Sequence, residues 1–169
     1  CKENIIYIKN KTNLGYDKSL TIGLKLAKER NFDYAITFDA DGQHPQVVLK
    51  SVINLLKKGA YIVCGRREKF QRIFEYIFSI YCRLRWGIHD PLCGLKGYSL
   101  KNLDIAKNFS FEPTVGTKLL INTCLKRKKI MQINIPIRDR NDKARFGSTF
   151  QGEFKILKAL LFIIFLNKS

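Results

Sequence analysis

Tyr34-Ala35-Ile36-Thr37-Phe38-Asp39-Ala40-Asp41-Gly42-Gln43-His44-Pro45 decides how the chain is read. Tyr34 to Phe38 is a continuous apolar and β-branched run, the pattern of a strand covered on both faces in a parallel sheet. Two carboxylates follow at once, so they stand at the carboxyl end of that strand. Aspartates at i and i+2 converge on one ligand once the backbone turns, and Gly42 permits the turn. Their hard oxygens suit Mg²⁺ or Mn²⁺, and a site with one or two protein carboxylates leaves positions open for phosphate oxygens. A pair of loop aspartates is more often solvated or capping a helix. Here the preceding strand and the following Gly-Gln-His-Pro favour a metal–diphosphate site.

The flanking segments read as alternating strands and helices. Upstream, Asn4 to Lys9 reads as a short strand, Asn13 and Gly15 as turn-formers, and Ser19 to Arg30 as a helix with Ser19 as N-cap. Downstream, Pro45 suits a first helical turn, Val48, Val52, Leu55 and Leu56 give that helix a buried face, and Gly59 is its C-cap. Tyr61 to Cys64 is the next buried strand. The order β-α-β-α-β with short connections predicts a doubly wound parallel sheet, whose ligands bind beyond the strands' carboxyl ends. Further on come a helix over Gln71 to Trp86 with a wide apolar stripe, a Gly/Pro-punctuated segment from Gly87 to Gly97, and a helix from Thr114 to Lys126. A strand from Ile130 to Ile137 and a helix from Gly152 to Leu166 complete the chain. No repeat or linker appears, so residues 1–169 read as one domain.

Composition narrows the class. The 169 residues, 46% of them hydrophobic, rule out global disorder, and 31 Lys plus Arg against 14 Asp plus Glu give a net charge of +17. Such a charge points to anionic partners: nucleic acid, acidic lipid or phosphorylated small molecules. The aromatics fall at core-like positions without an RNP, zinc-finger or helix-turn-helix signature, which sets nucleic acid aside. The longest apolar run, Ala159 to Leu166, has eight residues, against roughly 20 needed to cross a bilayer. Five scattered cysteines without a CxxC pair encode neither a disulfide framework nor a zinc site, which fits a reducing cytoplasm.

DADGQHP, together with the segment from Asn13 to Ala27, resembles family 2 glycosyltransferases of the GT-A fold, particularly the polyprenyl (dolichol) phosphate mannosyltransferase-like branch. Gly65-Arg66-Arg67 is similar to its G-S-R, and Asp90-Pro91-Leu92-Cys93-Gly94-Leu95-Lys96-Gly97-Tyr98 to its D-P-T-S-G-F-R-A-Y. Phe111-Glu112 resembles its F-E pair before a helix. Ile133 to Ile137 with Arg138, Arg140, Arg145, Gly147 and Ser148 resembles its E-V-P-I strand and basic loop. The resemblance implies an α/β fold, a Rossmann-like, mostly parallel sheet flanked by helices. It also implies N-terminal truncation, since the base-binding strand and an Asp-Asp-Gly-Ser segment should precede Cys1. Serine is lacking at Arg66, and Leu92, Cys93, Leu95 and Lys96 replace Thr, Ser, Phe and Arg, so the acceptor side is expected to differ.

Carried over residue by residue, the resemblance places Asp39 against the ribose or diphosphate of a nucleotide-sugar donor. Asp41 would ligate the Mg²⁺ or Mn²⁺ that neutralises the leaving diphosphate, and Gln43 would bond near metal or sugar. Attack from the opposite face would invert the anomeric centre. A polyprenyl phosphate acceptor is already an anionic nucleophile; it needs cations, for which Arg66, Arg72, Arg83 and Arg140 are the candidates. A hydroxyl acceptor would need a base, Asp90 or Glu112. The helix stripe beside Arg83 and Arg85, and residues 152–169 with Lys155, Lys158 and Lys168, suit the anionic inner face of a membrane, as a peripheral contact. The alternative expectation is an inactive fragment that serves as a binding domain.

Overall fold

A computed structural model of the chain describes residues 6–38, 47–70, 72–102, 115–136 and 149–166, with side chains of the last segment described over 152–165. The turn predicted from Asn13 and Gly15 is present: the Gly15 N–H donates to Asn13 Oδ1 at 2.9 Å. It starts α1 (Gly15–Glu29) four residues earlier than Ser19. Ser19 is therefore not the cap; its hydroxyl donates to the Gly15 carbonyl at 2.8 Å from within the helix. Residues 6–9 form no strand, and Tyr7 is 83% exposed, so the apolar alternation there has no covering layer.

The remaining elements are β1 (Tyr34–Thr37), α2 (Val47–Lys57), β2 (Ile62–Arg67), α3 (Ile73–Trp86), β3 (Lys96–Ser99), α4 (Val115–Leu125), β4 (Ile130–Ile135) and α5 (Thr149–Leu166). The strand order is β1-β3-β2-β4. β2 and β4 pair in parallel, whereas β3 runs antiparallel to both β1 and β2. Three of the four strands therefore point the same way, and the sheet is mixed through β3 alone. This strand lies in what reads from sequence as a Gly/Pro-rich connection. Lys96-Gly97-Tyr98-Ser99 carries no strand pattern of its own, yet all four residues are buried. Gly97 makes the placement possible: a Cβ there would stand 2.5 Å from Val52 Cγ1 and 3.1 Å from Leu56 Cδ1 of α2.

β1 is half-buried along its length rather than covered on both faces, because it is a terminal strand of the sheet. Two apolar layers flank the strands. On one side Leu24 of α1, Phe78 and Cys82 of α3, Leu119 and Leu120 of α4, and Leu160 and Ile163 of α5 close over Ile62 and Tyr98. On the other, Val48, Val52 and Leu56 of α2 close over Val63, Leu95 and Ile135. The stripe expected on α2 is thus its buried face.

Two helices start on carboxylates borrowed from elsewhere, which satisfy N–H groups that no intrahelical acceptor reaches. The Val115 N–H donates to Asp17 Oδ1 of α1 at 2.8 Å. The Ile73 and Phe74 N–H groups donate to Glu153 Oε1 and Oε2 of α5 at 3.3 and 3.1 Å. Among the described residues, no helix is long and apolar enough to cross a membrane.

Candidate active site

The shared direction of β1, β2 and β4 brings their carboxyl ends to one edge of the sheet. One row of partners, Thr37–Lys96–Cys64–Gln132, crosses all four strands just below it. The chain leaves β1 through Thr37 and Phe38 toward Asp39, Asp41 and Gln43, which lie outside the described residues, as do Glu112 and Arg140. The exit itself is tied down: the Thr37 hydroxyl donates to the Gly94 carbonyl at 2.7 Å and accepts the Lys96 N–H at 3.1 Å. Beside it Tyr16, Ser19, Leu20, Thr37 and Phe38 line a shallow cleft of about 230 Å³.

β2 ends in two arginines with different surroundings. Arg67 donates from Nε to Asp90 Oδ2 at 2.7 Å and from Nη2 to Asp90 Oδ1 at 3.0 Å, and its own N–H reaches Oδ2 at 3.1 Å. Its Nη1 meets Glu75 Oε2 at 3.3 Å, and Glu75 Oε1 accepts from Arg72 Nη1 at 3.1 Å. Burial works against the Arg67 charge, but the hydrogen bonds and charge of Asp90, with Glu75 behind it, outweigh that and raise its hold on the proton. Asp90 is 0% exposed and Glu75 5%.

This geometry revises two expectations. Asp90, a candidate base for a hydroxyl acceptor, has both oxygens engaged by Arg67 and no open face. It acts as a counter-charge that holds the Asp90-to-Gly97 segment on β2. Arg72, a candidate phosphate ligand, is turned to Glu75 and lies across α5, where a Cβ on Gly152 would stand 3.0 Å from Arg72 Nε.

Arg66 and Arg83 stand differently. Both are exposed, and among the described residues neither meets a carboxylate. The charges of both act on His89, a residue that sequence reasoning missed; its one signal is its place directly before the Asp90-Pro91 motif. The Ser79 hydroxyl of α3 donates to the His89 carbonyl, and the His89 N–H donates to Gln132 Oε1 at 2.7 Å. Gln132 Nε2 in turn donates to the Gly87 carbonyl at 2.8 Å, so this segment is pinned between α3 and β4. Partial desolvation first, then the charges of Arg66 and Arg83, lower the proton affinity of the His89 imidazole.

Behind the site the side chains are set for structure. Lys96 is 4% exposed and its ammonium donates to the Cys93 carbonyl, closing the turn in which lysine replaces the expected arginine. Cys64, Cys82, Cys93 and Cys124 are buried. Burial pushes the Cys64 thiol up to about 12 and the Cys93 thiol up to about 11, so both stay protonated at neutral pH and serve as packing groups.

The family profile described as glycosyl transferase family 2 matches residues 1–103. Over 72 residues the chain is 38% identical to a UDP-N-acetylglucosamine–dolichyl-phosphate N-acetylglucosaminyltransferase of Methanococcus voltae, a match that spans 42% of this chain and 29% of that one. Two crystal structures of glucosyl-3-phosphoglycerate synthase from Mycobacterium tuberculosis share the fold. One, with phosphoglyceric acid, has TM-score 0.65 at 20% identity and covers 94% of this chain and 56% of its own. The other, with Mn²⁺, UDP-glucose and glycerol 3-phosphate, has TM-score 0.61 at 20% identity and covers 92% and 56%. The chain thus spans less than two thirds of each of these relatives.

Proposed function

The chain belongs to glycosyl transferase family 2, and from that premise we propose that it serves the inverting transfer of a sugar from a nucleotide-sugar, UDP-linked, to the phosphate of a polyprenyl-type acceptor. The observation that carries the acceptor is a pair of exposed guanidinium groups that no described carboxylate neutralises, Arg66 near the carboxyl end of β2 and Arg83 on α3. A dolichyl-phosphate transferase as relative, and Mn²⁺ with UDP-glucose in a structural neighbour, support the same reading. The second neighbour was crystallised with glycerol 3-phosphate, a small phosphate ester, beside UDP-glucose, which supports a phosphate-bearing acceptor here.

Asp39 and Asp41 fit a divalent ion by donor chemistry, being hard oxygen ligands that follow β1 in the sequence. When bound, the ion would neutralise charge growing on the leaving diphosphate. The chain's own residues do the rest. Thr37 fixes the exit of β1, the Asp90–Arg67–Glu75–Arg72 series holds β2 against α3, and Arg66 and Arg83 place the acceptor phosphate by charge-assisted hydrogen bonds. A phosphate nucleophile is already ionised and needs no base, which agrees with the closed environment of Asp90.

Arg66→Ala and Arg83→Ala are each expected to weaken binding of a short isoprenyl phosphate about tenfold or more, since a hydrogen bond to a charged group contributes roughly 1.5–3 kcal/mol. Donor binding should be unchanged in both. Calorimetric titration of the two variants decides it, and wild-type affinity in both would sink the assignment.

A lipid acceptor brings the enzyme to a membrane, and α3 presents a matching face. Ile73, Tyr76, Ile77, Ile80 and Leu84 are 73%, 57%, 41%, 40% and 84% exposed along it, with Arg83 and Arg85 at its end. An apolar row edged by cations is suited to a peripheral contact with anionic lipid. The chain should co-sediment with phosphatidylcholine vesicles containing phosphatidylglycerol, less so at high salt, and Ile80→Asp with Leu84→Asp should abolish it. Vesicle binding that survives the double change would remove α3 from the contact.

A further inference from the structure

The acceptor cluster contains a third group that its two arginines do not explain. Ser79 and Arg83 are neighbours four apart on α3, and the Ser79 hydroxyl holds the His89 carbonyl, so the helix face that carries Arg83 packs against the His89 backbone. From the sheet, Cys64 Sγ reaches the Asp90 carbonyl at 3.1 Å, and Arg66 follows two residues later on the same face of β2. β4 completes the surround with neutral Gln132. The other charged groups close by are committed elsewhere: Arg67 to Asp90 and Glu75, and Glu75 also to Arg72. His89 therefore faces two cations and no available anion among the described residues.

We propose that His89 is the third arm of the phosphate-recognition cluster with Arg66 and Arg83, taking up a proton from solvent as the acceptor's phosphate docks. The inference rests on the acceptor reading above and adds to it a residue and a proton linkage. Partial desolvation, and then the charges of the two guanidinium groups, disfavour the imidazolium in the empty cluster. A bound dianion reverses the local field and favours the imidazolium, so binding and protonation reinforce each other. The sign follows: with His89 more basic in the complex than in the free protein, affinity for a dianion rises as pH falls through the histidine range. Such a cluster prefers a terminal, doubly ionised phosphate to a diester, whose single charge neutralises less of it.

The test uses the full chain and inorganic sulfate, a dianion whose charge is fixed between about pH 5 and 8, the window in which histidine titrates. The sequence holds two histidines, so His44→Gln leaves one imidazole to follow by NMR, that of His89. Saturating sulfate is expected to shift the His89 titration upward by about one unit, and sulfate affinity should gain about tenfold across the same window, the linkage equivalent of that shift. His89→Gln should remove the pH dependence while retaining binding through the arginines. An unmoved His89 titration, with sulfate binding still lost in Arg66→Ala and Arg83→Ala, overturns the inference and leaves the acceptor reading standing. Sulfate binding indifferent to both arginines overturns the acceptor reading and the inference together. Displacement of sulfate by a short isoprenyl phosphate, and not by UDP with Mn²⁺, assigns the cluster to the acceptor; the reverse pattern assigns it to the donor and refutes the proposal.

Discussion

Asp90→Ala is expected to cost about 3–5 kcal/mol of folding stability, the range for removing one partner of a buried ion pair. Asp90 accepts both arms of the Arg67 guanidinium and the Arg67 N–H, and its side chain is 1% exposed. Alanine leaves that guanidinium, itself 16% exposed, with Glu75 as its remaining described counter-charge and leaves a buried N–H unpaired. Glu75 must then serve Arg67 and Arg72 alone. The same logic predicts that a double change, Asp90→Leu with Arg67→Met, costs less than either single change, because no charge is stranded. Urea denaturation of Asp90→Ala, the two single changes and the double change, with far-UV and fluorescence transitions compared, measures this. A single change that costs under about 1 kcal/mol, as an exposed pair would, would show the network to be solvated in solution.

How far the sequence could be read depended on whether a residue's fate is settled by its neighbours in the chain or by partners across the fold. Tyr34 to Thr37 carried enough local pattern to be seen as a strand, with Asp39 two residues beyond it in the sequence. The stripe Val48, Val52 and Leu56 was legible for the same reason. β3 was not, since Lys96-Gly97-Tyr98-Ser99 becomes a strand only because β1 and β2 offer it edges on both sides and Gly97 admits α2. The starts of α3 and α4 were read to within two residues, at Gln71 and Thr114, but their caps were hidden, since Glu153 and Asp17 come through space rather than from the preceding residue. In the site, Arg66 and Arg67 are adjacent and chemically identical. Alternation along β2 sends one to solvent and the other to Asp90, and no local pattern tells which. Arg83 stands exposed as a candidate cation should, while Arg72 is turned to Glu75, three residues on. His89 had no motif to announce it; it becomes visible only where Ser79, Gln132 and two arginines surround it.

Asp41→Asn is expected to abolish the metal-dependent part of donor binding, a loss of about 100-fold or more, given that altering even the outer shell of a metal site costs 10–100-fold. The amide keeps the size of the side chain and one acceptor oxygen but removes the charge that a hard divalent cation requires. β1 ends at Thr37, whose hydroxyl bonds tie it to Gly94 and Lys96, so the strand that precedes Asp39 in the sequence ends at a fixed point. Calorimetry with UDP-N-acetylglucosamine, UDP-glucose and GDP-mannose, each with and without Mn²⁺, reads the effect, and the first two donors are expected to bind more tightly than the third. Because a ligand stabilises only the folded state, the same loss should appear as a missing Mn²⁺-dependent rise in Tm with UDP. Asp39→Asn should weaken binding with and without metal, since its expected contact includes the nucleotide itself. If wild type and Asp41→Asn bind a UDP-sugar equally and with the same Mn²⁺ dependence, the metal does not rest on Asp41. If a folded wild-type chain binds no donor under any of these conditions, the inactive binding-domain reading gains at the expense of transfer. The Arg66, Arg83 and His89 cluster can still be tried separately with sulfate, because its residues stand on β2, α3 and the segment before Asp90 rather than among residues 39–46.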